Sequence, residues 1–211
     1  ILADTNLDNQ KKVYFSSQDN LSKIVSGRIE NAEVHINIAM YYFTSTSLAK
    51  SLIKAKNGGV EIEVLLDPSQ KYNKLSKWDI LVEKGIKVKF YESQGLMHNK
   101  FCVIDGKEVL TGSYNWTDSA NTKNQENLVI INSEDTAEKY EKEFQKLWTA
   151  GGIVPLVSPE KAKYVGCKTT YVFHKKDCYY VKRIKEKNKV YFLKREDAVK
   201  AGFRPCKVCK P

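Results

Sequence analysis

Residues 34–66 read VHINIAMYYFTSTSLAKSLIKAKNGGVEIEVLL, and this stretch decides the fold class. Residues 34–43 form an apolar run of strand length, rich enough in Ile, Met, Tyr and Phe to be buried. Residues 47–57 then set Leu48, Leu52 and Ile53 at helical spacing and stop at Gly58-Gly59, a helix-ending signal. Residues 60–66 alternate as a strand until Asp67-Pro68-Ser69 breaks them. Strand, helix and strand joined this tightly predict a parallel pair with a crossover helix.

Working outward, residues 12–16 read as a strand, and 20–32 as a helix with Leu21, Ile24, Val25 and Ile29 on one face. Downstream, a helix over 75–83 ends at Gly85 and a strand follows over 86–91. The βαβαβαβ order predicts an α/β fold, a mixed, mostly parallel sheet flanked by helices. The rhythm then changes. Segments 96–104 and 108–112 flank Asp105-Gly106, a hairpin signal, and 127–131 adds a strand. Residues 137–147 form an amphipathic helix that turns Tyr140, Phe144 and Leu147 to the core. Gly151-Gly152, Pro155 and Pro159 mark a linker over 151–163, between a first domain of 1–150 and a second of 164–211.

Charge separates the same two parts. Residues 159–211 hold 16 Lys+Arg against 5 Asp+Glu, whereas 1–158 hold 19 against 20. The net charge of +10 therefore comes from the last quarter of the chain, which marks that segment as a polyanion binder. A hydrophobic content of 42% can fill a core, so disorder is excluded as the general state. No apolar run approaches the roughly 20 residues of a membrane span, so stable membrane insertion is not expected. The chain starts at Ile1, and loss of a leader would fit a periplasmic or secreted location.

Chemistry concentrates in residues 98–126. His98-Asn99-Lys100 followed by Asp105 reads H-x-K-x4-D on an expected strand, where residues two apart share a face. His98 and Lys100 then project together while Phe101 and Val103 enter the core. Across the hairpin, Ser113 and Asn115 share a face if extended. A lysine charge with neutral Ser and Asn donors suits the non-bridging oxygens of a phosphodiester. His98 is the residue able to act as nucleophile and proton carrier near neutral pH. Asp105 opens the hairpin turn and reads as structural.

H-x-K-x4-D, Gly112-Ser113-Tyr114-Asn115 and the later Gln125-Glu126-Asn127 together resemble the HKD signature of the phospholipase D superfamily, over residues 12–149. The resemblance implies a phosphohistidine on His98, phosphate binding by Lys100 and Asn115 with help from Ser113, and orientation of His98 by Glu126. It also implies catalysis without a metal at the reacting phosphate. The motif occurs once: His35 is followed by Ile36-Asn37, and His174-Lys175-Lys176 has Val181 where the Asp belongs. Superfamily chemistry uses two histidines, so a homodimer is expected, as in the single-motif Nuc-type endonucleases.

Of five cysteines, three have metal-ligand spacing. His174-x3-Cys178 and Cys206-x2-Cys209 offer four ligands in two close pairs, suited to a structural, tetrahedral zinc. Cys167 is either a spare thiol or the fourth ligand if His174 is not. AGFRPCKVC and Phe173 carry a resemblance to the metal-binding domain of the Ada DNA-repair protein, with His174 where that domain has its first Cys. The exchange speaks against thiolate repair chemistry. The segment is then a small zinc-stabilised α+β domain, too short to fold securely without its metal. Tyr171, Tyr179, Tyr180, Tyr191 and Phe192 interleave with Lys and Arg, as suits nucleic acid.

The combined reading is a nuclease, most simply an endonuclease of low sequence specificity with DNA as the favoured polymer. A lipid phosphodiesterase or phosphatidyl transferase on the same fold, and a non-catalytic DNA-binding protein, are the alternatives.

Overall fold

The computed structural model describes residues 11–71, 73–152, 157 and 159–211. The chain divides into two compact units, Ile1–Gly152 and Ile153–Pro211. The first unit holds strands β1 (Lys11–Phe15), β2 (His35–Met40), β3 (Glu61–Leu66), β4 (Lys87–Tyr91), β5 (Lys100–Ile104), β6 (Glu108–Gly112), β7 (Asn127–Asn132) and β8 (Gly151–Gly152). Its helices are α1 (Leu21–Glu30), α2 (Thr46–Asn57), α3 (Trp78–Glu83), α4 (Asp118–Thr122) and α5 (Glu134–Thr149).

The strands make one sheet in the order β1-β7-β6-β5-β2-β3-β4-β8. The crossover read from residues 34–66 is present: β2, β3 and β4 run parallel. The expectation of a mostly parallel sheet is corrected, because the other neighbouring pairs, from β1–β7 to β4–β8, are antiparallel. The reason lies in two long-range pairings. β1 sits at the far edge against β7 instead of beside β2, and β5 enters antiparallel to β2 before the Asp105 hairpin returns the chain as β6.

Side chains explain why β2 is central. Ala39 and Leu65 pack with Phe101, Val103, Val109, Ala137 and Phe144 in the cluster that covers α5. Alternation turns the buried Ile36, Ile38 and Met40 to the opposite face, where the buried stripes of α1 (Leu21, Val25, Ile29) and α2 (Leu48, Leu52) supply apolar cover. Each such side chain contributes about 1.5–3 kcal/mol, so a strand apolar on both faces belongs in the middle. Asn20, Ser45 and Ser133 cap α1, α2 and α5 by accepting from Lys23, Leu48 and Thr136 N–H.

The second unit has β9 (Tyr164–Cys167), β10 (Val172–Lys175), β11 (Lys189–Phe192), β12 (Arg204–Pro205) and α6 (Arg195–Lys200). The sheet order is β11-β9-β10-β12, with β10 and β12 parallel and the other pairs antiparallel. Phe173, Val190, Phe192, Ala198 and Phe203 form one small core; Val165, Cys178, Val181 and Cys206 form another. Gly166 lets the first core close, since a Cβ there would stand 2.7 Å from the Phe203 ring.

The expected linker over 151–163 is revised at both ends. Gly151 and Gly152 pair with Tyr91 and Phe90, and Val157 and Ala162 are buried. Residues 153–156 and 158 lie outside the described residues.

Candidate active site and candidate metal centre

Strand ends build the first site. Register sets Lys100 opposite Met40, so β5 begins where β2 finishes, and Gly112 leaves β6 opposite Leu128, next to the start of β7. His98 lies just before β5, not within it, yet it shares a side with Lys100 as expected. The Lys100 Nζ is 3.4 Å from both ring nitrogens of His98 and donates to the His98 carbonyl at 2.9 Å. His98 is exposed and Lys100 half-buried. Burial lowers the Lys100 ammonium below its ordinary pKa, while the Glu126 carboxylate pulls the other way. Lys100 is thus a partly desolvated cation beside an accessible imidazole.

Asn115 is held with its amide directed. Its Oδ1 accepts from Tyr42 N–H at 3.1 Å, which leaves the Nδ2 hydrogens to donate elsewhere. Ser113 and Glu126 depart from their expected roles. The Ser113 hydroxyl donates to Glu126 Oε2 and accepts from Asn127 N–H at 3.1 Å, so its single proton is committed inside the protein. Glu126 Oε1 accepts from Asn124 Nδ2 at 2.9 Å. Among the described residues no hydrogen bond joins Glu126 to His98. Gly112 permits this crossing of β6 and β7: its φ is +148°, and a Cβ would lie 2.3 Å from the Asn127 carbonyl oxygen.

Asp105 sits at the other end of β5 and is structural. Its carboxylate accepts from the N–H groups of Glu33, Val34 and His35 at 2.9, 2.8 and 3.0 Å. Partial burial alone would raise its pKa; those three donors and the His35 ring outweigh it and hold the carboxyl below its ordinary value. Asp105 and Gly106 take φ of 54° and 64°, the left-handed pair that a tight hairpin needs.

Two residues of the site were missed by motif reading. The Tyr41 ring lies 4.5 Å from the His98 ring and 5.2 Å below Lys100 Nζ, and Tyr41 N–H donates to the Asn99 carbonyl at 3.0 Å. The buried Asp67 accepts from Met97 N–H at 3.1 Å, fixing the backbone just before His98. Both follow the carboxyl ends of parallel strands, where α/β sheets hold their ligands, and that position was the available signal.

The second site lies within 153–211. Donor atoms of His174, Cys178, Cys206 and Cys209 all fall within 4.8 Å of one another, with His174 Nδ1 and Cys178 Sγ 3.5 Å apart. Tetrahedral zinc with bonds of about 2.3 Å to sulfur and 2.0–2.1 Å to nitrogen sets donors roughly 3.5–3.8 Å apart, so the set fits. The hydrogen bonds fit as well. Lys175 N–H donates to Cys209 Sγ at 3.4 Å. Burial alone would raise the Cys206 thiol, but the Cys209 and Val208 N–H groups hold it below its ordinary value. Cys167 stands outside the cluster, hydrogen-bonded with Thr169 Oγ1 at 3.1 Å, so the cluster's fourth donor is His174 and not Cys167.

Fold and first site define a class: an α/β protein that gathers a histidine, a lysine and an amide at the strand ends of one mixed sheet. Residues 25–148, more than half the chain, match the family described as cardiolipin synthase, PLD-like domain, and the chain belongs to the phospholipase D superfamily. Residues 159–211 match the metal-binding domain of Ada. The mitochondrial cardiolipin hydrolase of Drosophila melanogaster is 34% identical over 151 residues, 62% of this chain and 59% of its own length. The phospholipase D of Rickettsia conorii is 35% identical over 126 residues, 60% of this chain and 63% of its own. The phospholipase D family member Nuc from Salmonella typhimurium superposes with a TM-score of 0.64 at 29% identity, covering 67% of this chain and 95% of Nuc. The chain spans about three-fifths of the length of the curated relatives it matches.

Proposed function

We propose that the chain is a phosphodiesterase cleaving nucleic-acid backbones, an endonuclease of low sequence specificity with DNA the favoured substrate. The observation that carries this reading is the joining, in one chain, of the His98–Lys100–Asn115 site to a unit that holds nearly all the excess positive charge. Lys100 and the Asn115 amide bind non-bridging phosphate oxygens as charge builds on them. His98 attacks phosphorus, the phosphorus–oxygen bond to the leaving group breaks, and a phosphohistidine forms. The leaving oxygen takes a proton from a second histidine, which then deprotonates the water that releases phosphate from His98. Ser113 acts indirectly, holding Glu126 beside Lys100.

That second histidine comes from a twin. The chain has three histidines: His35 is bonded to Glu141 at 2.8 Å, at the start of β2 rather than the site end, and His174 belongs to the metal cluster. The partner subunit's His98 is the acid that remains, and a two-fold axis through the site supplies it. Zinc at His174, Cys178, Cys206 and Cys209 maintains the fold of the second unit, and no reaction step passes through it.

A lipid reading is favoured by the names of two relatives, a phospholipase D and a cardiolipin hydrolase. Labelled DNA, RNA, phosphatidylcholine and cardiolipin, each with and without brief EDTA, decide between them. Cleavage of nucleic acid that survives EDTA supports the proposal. Turnover of the lipids alone, or a strict need for added magnesium, overturns it.

A further inference from the structure

The second unit carries a cleft of about 980 Å³ that adjoins the metal cluster, His174 and Cys206 being part of its lining, and that stands at the upper end of the roughly 300–1,000 Å³ typical of small-molecule sites. Arg183, Lys185, Arg204 and Lys207 line it and are all exposed. No Asp or Glu lines it among the described residues. Cations are common throughout this segment, but a cleft of one sign focuses the field and raises the local concentration of anions.

The floor and rim hold the second half of the observation. Val172, Ile184, Pro205 and Val208 supply apolar surface. Tyr180 lines the cleft, and Tyr179 beside it is 66% exposed, their rings 5.7 Å apart and near perpendicular. The Arg183 guanidinium lies 5.3 Å from the Tyr179 ring, a flat cation against a flat ring. Thr169, Thr170 and Asn188 add neutral donors and acceptors to the lining.

We infer that this cleft binds a single-stranded stretch of nucleic acid, with unstacked bases on the tyrosines and apolar floor and phosphates on the four cations. A duplex offers phosphates but keeps its base faces inside the stack, so it cannot use the floor. A strand with exposed bases uses both halves. This inference rests on the nucleic-acid reading of the chain but not on its chemistry. It adds a substrate form, a strand already open or frayed, delivered to an enzyme whose reacting groups lie in the other unit.

The test is fluorescence anisotropy with the zinc-loaded full-length chain carrying His98→Ala, so that nothing is cut. A labelled oligothymidylate, a duplex of equal length and cardiolipin-containing vesicles are compared at one salt concentration. The single strand binds most tightly. Tyr180→Leu weakens it roughly tenfold, one stacking contact, with zinc content retained. Lys185→Gln with Arg204→Gln weakens it and lowers the salt slope by about 1.5. Should Tyr180→Leu shed zinc, the double substitution carries the decision alone. Equal or tighter duplex binding, variants that bind the oligonucleotide unchanged, or variants that lose only vesicle binding each overturn the inference. A dead catalytic site with intact strand binding would instead remove the proposed chemistry and leave the cleft standing.

Discussion

The two units hold their functional side chains by opposite means. In the first, an eight-stranded sheet buries apolar residues on both faces, and the site is a by-product of where strands stop. His98, Lys100 and Asn115 are placed by backbone partners: Asp67 on Met97 N–H, Tyr41 N–H on Asn99, Tyr42 N–H on Asn115. In the second, the longest strands have four residues, and Cys178 and Cys206 are themselves part of one of the two small cores. There the proposed ligand cluster is the architecture. On the proposed function, the difference places the reacting groups on a scaffold held by its own apolar core, and the grip on a segment whose Cys/His cluster is part of its core.

Zinc removal breaks the comparison most severely. Structural zinc contributes on the order of 10–16 kcal/mol in small zinc domains, more than a segment of this size can replace. Prolonged strong chelation, or Cys206→Ala, should melt 153–211 and leave the unit Ile1–Gly152 folded. Resolved backbone NMR signals from each unit report this directly, and a folded second unit without zinc would contradict it. Next in size, His98→Ala should cut hydrolysis of a chromogenic phosphodiester at least roughly a thousandfold, about 4 kcal/mol of barrier, with melting temperature and zinc content unchanged. Loss confined to KM would show that His98 binds but does not react.

Gly112→Ala sharpens the same contrast through packing. A Cβ 2.3 Å from a backbone oxygen in a sheet interior, at a φ of +148°, cannot be accommodated by a rotamer change. A destabilisation of about 2–4 kcal/mol is expected in urea unfolding of the first unit, with none in the second. Asp105→Asn is the smallest, about 1–3 kcal/mol near neutral pH from weakened bonds to three N–H groups. Because the folded carboxyl is held below its unfolded pKa of about 3.9, its stabilisation is present above that pH and fades as pH falls through the folded value. The gap between wild type and Asp105→Asn should therefore close in acid; a gap that widened below about pH 4 would reverse the assigned sign.

Much of this was legible because the signals are local. The β2–α2–β3 crossover is written in adjacent residues, as are the hairpin turn and the two close ligand pairs. What escaped is long-range. Lys11 pairs with Ile131, and no pattern near Lys11 announces that partner, so β1 read as the first strand of a parallel series. Ser113 reads as a phosphate donor because it shares a face with Asn115 when extended; its commitment to Glu126 depends on β7 arriving beside it. Tyr41 belonged to an apolar run and gave no sign of chemistry until Asn99 was seen to dock on it.

The two-residue strand β12 has a consequence for metabolism of the metal itself. Arg204 borders the cleft, and one residue beyond Pro205 the Cys206 N–H donates to Phe173 O at 2.8 Å while its sulfur faces the other ligands. A strand bound by Arg204 and zinc bound by Cys206 therefore draw on one short piece of backbone. By thermodynamic reciprocity, whatever zinc adds to the affinity for nucleic acid, nucleic acid adds to the affinity for zinc. On the proposed strand binding, chains engaged on nucleic acid should be the last to surrender zinc when it becomes scarce, so scarcity would loosen the grip of idle copies first.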